Sequence, residues 1–282
     1  MSDDVFELAD VAYRYQDKPA LDGVSLRIRK GDRVALLGAN GSGKSTLLRL
    51  LDALYFPAGG ELKAFGVPVT EAALADDAIN FAFRRRVGLV FQNPDVQLFN
   101  PTVFDELAFG PLQLGWPKER ILAEIDGMLD RFALRPLKDR APHRLSGGEK
   151  KRVALASVLI MAPEVVLLDE PTASLDPESQ AEVIRFLLES KGSGRTIVTA
   201  THDLDIVEDI ADSVVVLADG RVAAVGAPGE ILDDAELLKR TRLAHAHWHH
   251  HADGAVHAHL HSHRHHHDHH DGPGPRLISG KG

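Results

Sequence analysis

The chain has 282 residues, 44% hydrophobic and 26% charged, with 24 Gly, 15 Pro and 32 Lys+Arg against 41 Asp+Glu, the profile of a soluble globular protein of one large domain or two small ones. With no cysteine, disulfide scaffolds, thiolate nucleophiles and Cys-based zinc sites are excluded. The formal charge of -9 offers no footprint for duplex nucleic acid, which demands clustered Lys and Arg.

Taken in chain order, 5–15 and 24–28 read as strands, the second alternating apolar and polar as a half-buried antiparallel strand does. Residues 34–37 form a short continuous apolar run of buried-strand type, followed by a glycine-rich turn and then helical spacing over 44–54. Another strand is expected over 86–91. The stretch 93–101 is bracketed by Pro94 and Pro101 and reads as a linker. From 102 to about 161 the pattern is helical, with Thr102 as an N-cap, Pro117 at a first helical position, and Ser146 as an N-cap with Glu149 three residues on. Strands over 165–168, 196–200 and 214–217 then alternate with helices after Asp176-Pro177 and over 204–210. A block of three helices, about 93–161, is thus inserted into an α/β core. No internal repeat is visible. The most apolar stretch, 153–168, is broken by Pro163 and Glu164, and Met1 is followed by Asp3, Asp4 and Glu7 rather than a basic, then apolar leader, so no membrane span or signal peptide is expected.

Gly38-Ala-Asn40-Gly41-Ser42-Gly43-Lys44-Ser45 fits the phosphate-binding pattern G-x-x-x-x-G-K-[ST] and lies between a predicted strand and a predicted helix, the context that pattern requires. Glycines let successive backbone N–H groups turn toward the phosphates, the helix start adds positive potential, Lys44 can reach the β- and γ-phosphates, and Ser45 can ligate Mg²⁺. The run 165–170 ends in Asp169 and Glu170. At a strand's C-terminal end beside a phosphate loop, these suit holding Mg²⁺ and polarising an attacking water respectively, although a solvated strand end would look the same. Leu145-Ser146-Gly147-Gly148 opens a capped helix whose free N–H groups make a second anion site.

Two phosphate-binding helix starts about 100 residues apart, one of them Leu-Ser-Gly-Gly, make the chain resemble an ATP-binding cassette (ABC) ATPase. The resemblance covers about 4–230 with no motif missing. It implies an α/β P-loop NTPase core with an antiparallel β subdomain and an inserted helical subdomain, together making an ATPase domain over 1–243. It also implies that Tyr15 stacks on adenine, although a strand Tyr packing the core reads nearly as well. Thr46, next to Ser45, belongs to the same nucleotide cradle. Gln92 resembles the glutamine that contacts Mg²⁺ and the attacking water. Asp176 resembles the loop acid that crosses a dimer interface, and reads also as a plain N-cap before Pro177. His202 resembles the switch histidine at the γ-phosphate. The family implies a head-to-tail dimer, of two copies or with a related subunit, in which ATP with Mg²⁺ is sandwiched between one phosphate loop and the other copy's Ser146, Gly147 and Gly148. The stretch 91–111 resembles energy-coupling factor (ECF) importers, particularly their cobalt and nickel ATPase subunits. There it forms part of a groove for an integral membrane subunit on the cytoplasmic face of the membrane. Phe99, Phe104 and Phe109 read as groove lining or as subdomain core.

The remaining feature is an uneven count. Of 16 His, all but His143 and His202 lie in the tail, as His245, His247, His249, His250, His251, His257, His259, His261, His263, His265, His266, His267, His269 and His270. So few apolar residues accompany them that 244–282 is expected to be disordered. Neutral imidazoles at i, i+2 spacing offer nitrogen ligands to Ni²⁺, Co²⁺, Cu²⁺ or Zn²⁺, about three ions at four ligands each. The donor set does not choose among these metals. A pH-responsive tail uses the same nitrogens, and an affinity tag fits poorly because no run exceeds three His. The expectation is an ATPase subunit of a nickel- or cobalt-importing ECF transporter. The alternatives are an ECF ATPase serving a vitamin and a metal-storage or chaperone ATPase.

Overall fold

The structure, a computed structural model, describes residues 3–243 and the backbone of 246–250 and 256–260. Its first strands are β1 (Asp4–Tyr15) and β2 (Lys18–Arg29), paired antiparallel, followed by β3 (Arg33–Leu37), whose five residues are all buried. Helix α1 (Lys44–Leu51) follows, then β4 (Gly59–Ala64), β5 (Val67–Pro68), α2 (Glu71–Leu74), α3 (Asp77–Arg86) and β6 (Val87–Val90). The helical block is α4 (Val103–Gln113), α5 (Lys118–Arg131) and α6 (Gly147–Leu159). Beyond it come β7 (Val165–Asp169), α7 (Pro177–Glu189), β8 (Thr196–Thr201), α8 (Val207–Ile210), β9 (Ser213–Ala218), β10 (Arg221–Gly226), α9 (Pro228–Asp233) and α10 (Ala235–Arg240).

A six-stranded sheet runs β10-β9-β3-β8-β7-β6, parallel except for β10 at its edge, and an antiparallel sheet runs β2-β1-β4-β5. Because side chains alternate along a strand, β3 feeds two cores. Val34 and Leu36 join Leu47, Leu48, Leu50 and Leu51 of α1 and the antiparallel sheet, while Ala35 and Leu37 join α4 to α7 on the other face. Helix α1 is therefore clamped between the two sheets, which fixes the turn that precedes it. Thr102 and Ser146 are N-caps as expected, but Pro117 is itself the N-cap of α5 rather than its first helical residue. Among the described residues no helix is long and apolar enough to cross a membrane.

Where α1 ends, Asp52 is buried and Arg84 donates to its backbone carbonyl at 2.6 Å, with the carboxylate at 3.4 Å. Burial pushes the Asp52 carboxyl up to about 7, with Arg84 pulling the other way. The folded chain thus keeps a proton on Asp52 at pH values where the unfolded chain has lost it, and stability falls as pH rises from about 4 through about 7. Asp52→Asn is expected to stabilise the protein above that window, by at most about 4 kcal/mol, and to change little at its acid end. Thermal unfolding of both chains across the window checks this.

The histidine-rich tail lies largely outside the described residues. Within it, the backbone of β11 (Ala246–His250) pairs antiparallel with β12 (Val256–Leu260); the expectation of disorder over 244–282 otherwise falls on residues outside those described. Metal binding by the fourteen tail histidines concerns side chains outside the described residues.

Candidate nucleotide site

The glycine loop turns from β3 into α1 through Gly43, the N-cap of α1, at φ 109°. A Cβ there would stand 2.8 Å from the Ala20 carbonyl oxygen, so only glycine fits this approach to β2. The turn delivers Lys44 into a buried position, where its ammonium donates to the carbonyls of Gly38 at 2.6 Å and Ala39 at 3.4 Å. The next residue, Ser45, donates its hydroxyl to Asp169 Oδ1 at 3.0 Å.

Asp169 closes β7, beside β8 and one strand removed from β3, so the sheet order brings the carboxylates to the loop. Burial raises the Asp169 carboxyl above its usual range, and the Ser45 hydrogen bond opposes that shift. Glu170 follows at φ 45°, its N–H donating to the Ala200 carbonyl at 2.9 Å. This left-handed turn swings its carboxylate back into the site. Oε1 lies 3.6 Å from the Lys44 ammonium and Oε2 lies 2.9 Å from His202 Nδ1. A carboxylate can only accept, so the His202 tautomer that pairs here carries its proton on Nδ1.

Tyr15 is partly exposed rather than core, its hydroxyl 3.2 Å from Thr46 Oγ1. Two further aromatics, missed in the sequence, complete a platform. Tyr13 stacks on Tyr55 at 5.1 Å and Tyr15 meets both edge-on, while Arg49 donates to the Tyr15 hydroxyl at 3.3 Å and lies 5.8 Å from the Tyr55 ring centre. Nothing in the spacing of these four residues marks them as one cluster. Only the β1–α1 packing joins them.

Gln92 is exposed just after β6, and among the described residues its side chain makes no hydrogen bond to Asp169 or Glu170. Ser146 caps α6 in a reciprocal box with Glu149, and Gly147 beside it is exposed. Gly148 packs so closely on the start of α7 that a Cβ would meet Asp176 Oδ2 at 2.8 Å and collide with Ser179 Oγ. Asp176 accepts from the Ser179 N–H, which holds its carboxyl below the usual range. Among the described residues no hydrogen bond or ion pair joins this second helix start to the glycine loop of the same chain. Lys44, Ser45, Asp169, Glu170 and His202 are therefore assembled together, and Ser146 and Gly147 are exposed at the start of α6 while Gly148 is buried against α7.

The first group fits a magnesium nucleotide. Ser45 and Asp169 present hard oxygen donors of the kind Mg²⁺ takes. Ser42 Oγ and Glu170 Oε1 are buried without a hydrogen-bond partner, at places where a phosphate and a water would supply one.

Comparison with known proteins agrees with this geometry. Residues 21–173 match the ABC transporter family. The chain is 61% identical over 241 residues to the nickel import ATP-binding protein NikO of Rhodobacter capsulatus, covering 84% of this chain and 95% of that one. It is 45% identical over 240 residues to the energy-coupling factor transporter ATP-binding protein EcfA of Methanothermobacter thermautotrophicus, 85% of this chain and 76% of that one. Among solved structures, cbiO1 from Clostridium perfringens, part of the ABC transporter complex cbiONQ, superposes with a TM-score of 0.72 at 38% identity, covering 86% of this chain and 96% of that one. The dimeric cassette MJ0796 bound to ADP and Pi gives 0.70 at 27% identity, over 79% and 98%.

Proposed function

We propose, from the premise that this chain belongs to the ABC transporter ATP-binding family, that it powers uptake of nickel or cobalt as the ATPase subunit of an ECF-type importer, seated on the cytoplasmic face of the membrane. The observation that carries the metal is the 61% identity to a nickel import ATPase along nearly all of that protein's length. The fourteen tail histidines support it, as a reservoir of imidazole ligands for the same class of ion.

In this reading two copies, or this chain and a related one, associate head to tail. Each ATP lies between the phosphate loop of one and Ser146, Gly147 and Gly148 of the other, with Asp176 at the seam. The similar cassette MJ0796 is dimeric, and Ser146 and Gly147 at the capped start of α6 are exposed, where an anion from elsewhere can reach them. Tyr15, with Tyr13 and Tyr55 behind it, offers adenine a stacking face. Asn40, Gly41, Ser42 and Thr46 line the phosphate cradle around Gly38, Gly43 and Lys44. Lys44 exchanges its bonds to the Gly38 and Ala39 carbonyls for phosphate oxygens. Ser45, Asp169 and Gln92 would hold Mg²⁺, which when bound neutralises phosphate charge. Glu170 takes a proton from the water that attacks the γ-phosphorus as the bond to the β-phosphate oxygen breaks. His202 holds that carboxylate in place through Nδ1 and faces the γ-phosphate with the rest of its ring. Loss of the bridging phosphate charge lets the halves part, and that motion is passed to the membrane subunit.

The docking face is exposed on the helical block. Phe99 is 67% and Phe109 41% exposed, their rings edge-to-face at 5.0 Å, with Val96 and Leu112 also exposed. Of the three phenylalanines, only Phe104 packs against the core. Purification from a detergent extract is expected to retain an integral membrane protein. Phe99→Asp with Phe109→Asp is expected to reduce that protein at least about tenfold, as loss of aromatic anchors does, without changing the thermal unfolding temperature. Full retention of the membrane protein by the double variant would remove this face from the docking role.

A further inference from the structure

Lys151 lies one helical turn inside α6 and is 1% exposed; among the described residues it forms no ion pair, although the charges of Asp169 and Glu170 act on it from beyond pairing distance. Its ammonium donates to two backbone carbonyls, Phe91 at 3.0 Å and Gln92 at 2.9 Å. A buried cation without a paired anion is costly, and an apolar side chain of equal length would fill the volume without that cost. Besides its longer-range attraction to Asp169 and Glu170, what the cation adds is the hold on these two carbonyls.

The hold is reinforced along one stripe of α6. Gln97 accepts the Phe91 N–H at 3.2 Å and donates to the Ala154 carbonyl at 2.8 Å and to Ser157 Oγ at 3.2 Å. Lys150 pairs with Asp95 at 2.6 Å. Residues 150, 151, 154 and 157 share one face of the helix, so the strap 91–97 is laced along it from end to end. Beyond the strap, buried Glu106 accepts the N–H groups of Phe99 and Asn100 at 3.1 and 2.8 Å, tying the aromatic docking face to α4, which packs on α6.

We propose that Lys151 is a positioning residue for hydrolysis: it makes Gln92 travel with α6, so that a nucleotide engaging Ser146, Gly147 and Gly148 at one site sets where Gln92 stands at the other. This rests on the two-copy reading above. Lys151 touches neither nucleotide. It acts through the backbone of Gln92, with Gln97 as the second point of the clamp.

The test uses the full chain. Hydrogen exchange of the nucleotide-free protein is read over 91–99 and over 147–159, and kcat and KM for ATP are measured separately. Lys151→Met is expected to speed exchange in 91–99 at least about tenfold while leaving 147–159 unchanged. It is expected to lower kcat at least about tenfold with KM within about twofold, because misplacing a group by an ångström slows turnover more than it weakens binding. Gln97→Met should move the same quantities in the same direction. Unchanged kcat in Lys151→Met overturns the proposal. So does faster exchange over both segments together, which is the mark of a merely structural lysine. The two-copy reading is tested apart from this, by whether Glu170→Gln with Lys151 intact dimerises on addition of ATP. Failure there removes the pairing of two identical copies, whereas a dimer there with normal kcat in Lys151→Met overturns only the role of Lys151.

Discussion

Glu170→Gln is expected to slow ATP hydrolysis by about 10²- to 10⁴-fold, the range that loss of a general base produces, and to leave an ATP-bound dimer that outlasts gel filtration. The geometry sets both parts. Glu170 is buried, turned into the site by a left-handed backbone, and placed between the Lys44 ammonium at 3.6 Å and His202 at 2.9 Å. Gln keeps the shape and can still meet His202 and the nucleotide, so the sandwich forms. It cannot take up the proton of the attacking water, so the charge that bridges the halves persists. Removing the negative charge beside Lys44 and the phosphates also lowers repulsion in the closed state. Turnover within about twofold of the parent would take Glu170 out of the role of base.

Lys44→Ala is expected to act earlier. Its ammonium, buried on the Gly38 and Ala39 carbonyls, is the cation placed by the glycine turn to meet the β- and γ-phosphates. Losing such a donor costs about 10²- to 10³-fold in rate, and ground-state binding weakens as well. Unlike Glu170→Gln, this variant should stay monomeric with ATP, and sedimentation with and without the nucleotide separates the two.

How much of this was legible in the sequence follows from which signals are local. The glycine loop, the carboxylates at the end of β7 and the caps Thr102, Ser146 and Asp176 are each a few adjacent residues, and each lies at the strand end or helix start where the sequence places it. Elements carried by tertiary packing were not legible. β4 has the sequence Gly-Gly-Glu-Leu-Lys-Ala and exists through its pairing with β1. α2 has no buried residue and α3 only Phe83, so neither shows a periodic apolar face. β10 is a half-exposed edge, missed for the same reason, as were the short α9 and α10. The helix expected over 44–54 stops at Leu51, with Ala53 in the left-handed region. That expected over 204–210 shrinks to Val207–Ile210, because Thr201 and Asp203 side chains accept the N–H groups of Asp203 and Asp205 and hold a turn. Lys151 and Gln97 look like ordinary surface residues in the sequence, and their partners are some 60 residues away along the chain.

The central claim, that ATP hydrolysis by this chain drives import of a transition metal, is tested by following radioactive nickel and cobalt into cells that depend on this chain for the activity. Cells carrying a chain ending at residue 243 separate the tail from the motor, since a reservoir role predicts less metal retained but transport preserved. The intact chain should support uptake of at least one of the two ions and Lys44→Ala should abolish it; uptake of both ions at the intact rate with Lys44→Ala would contradict the account.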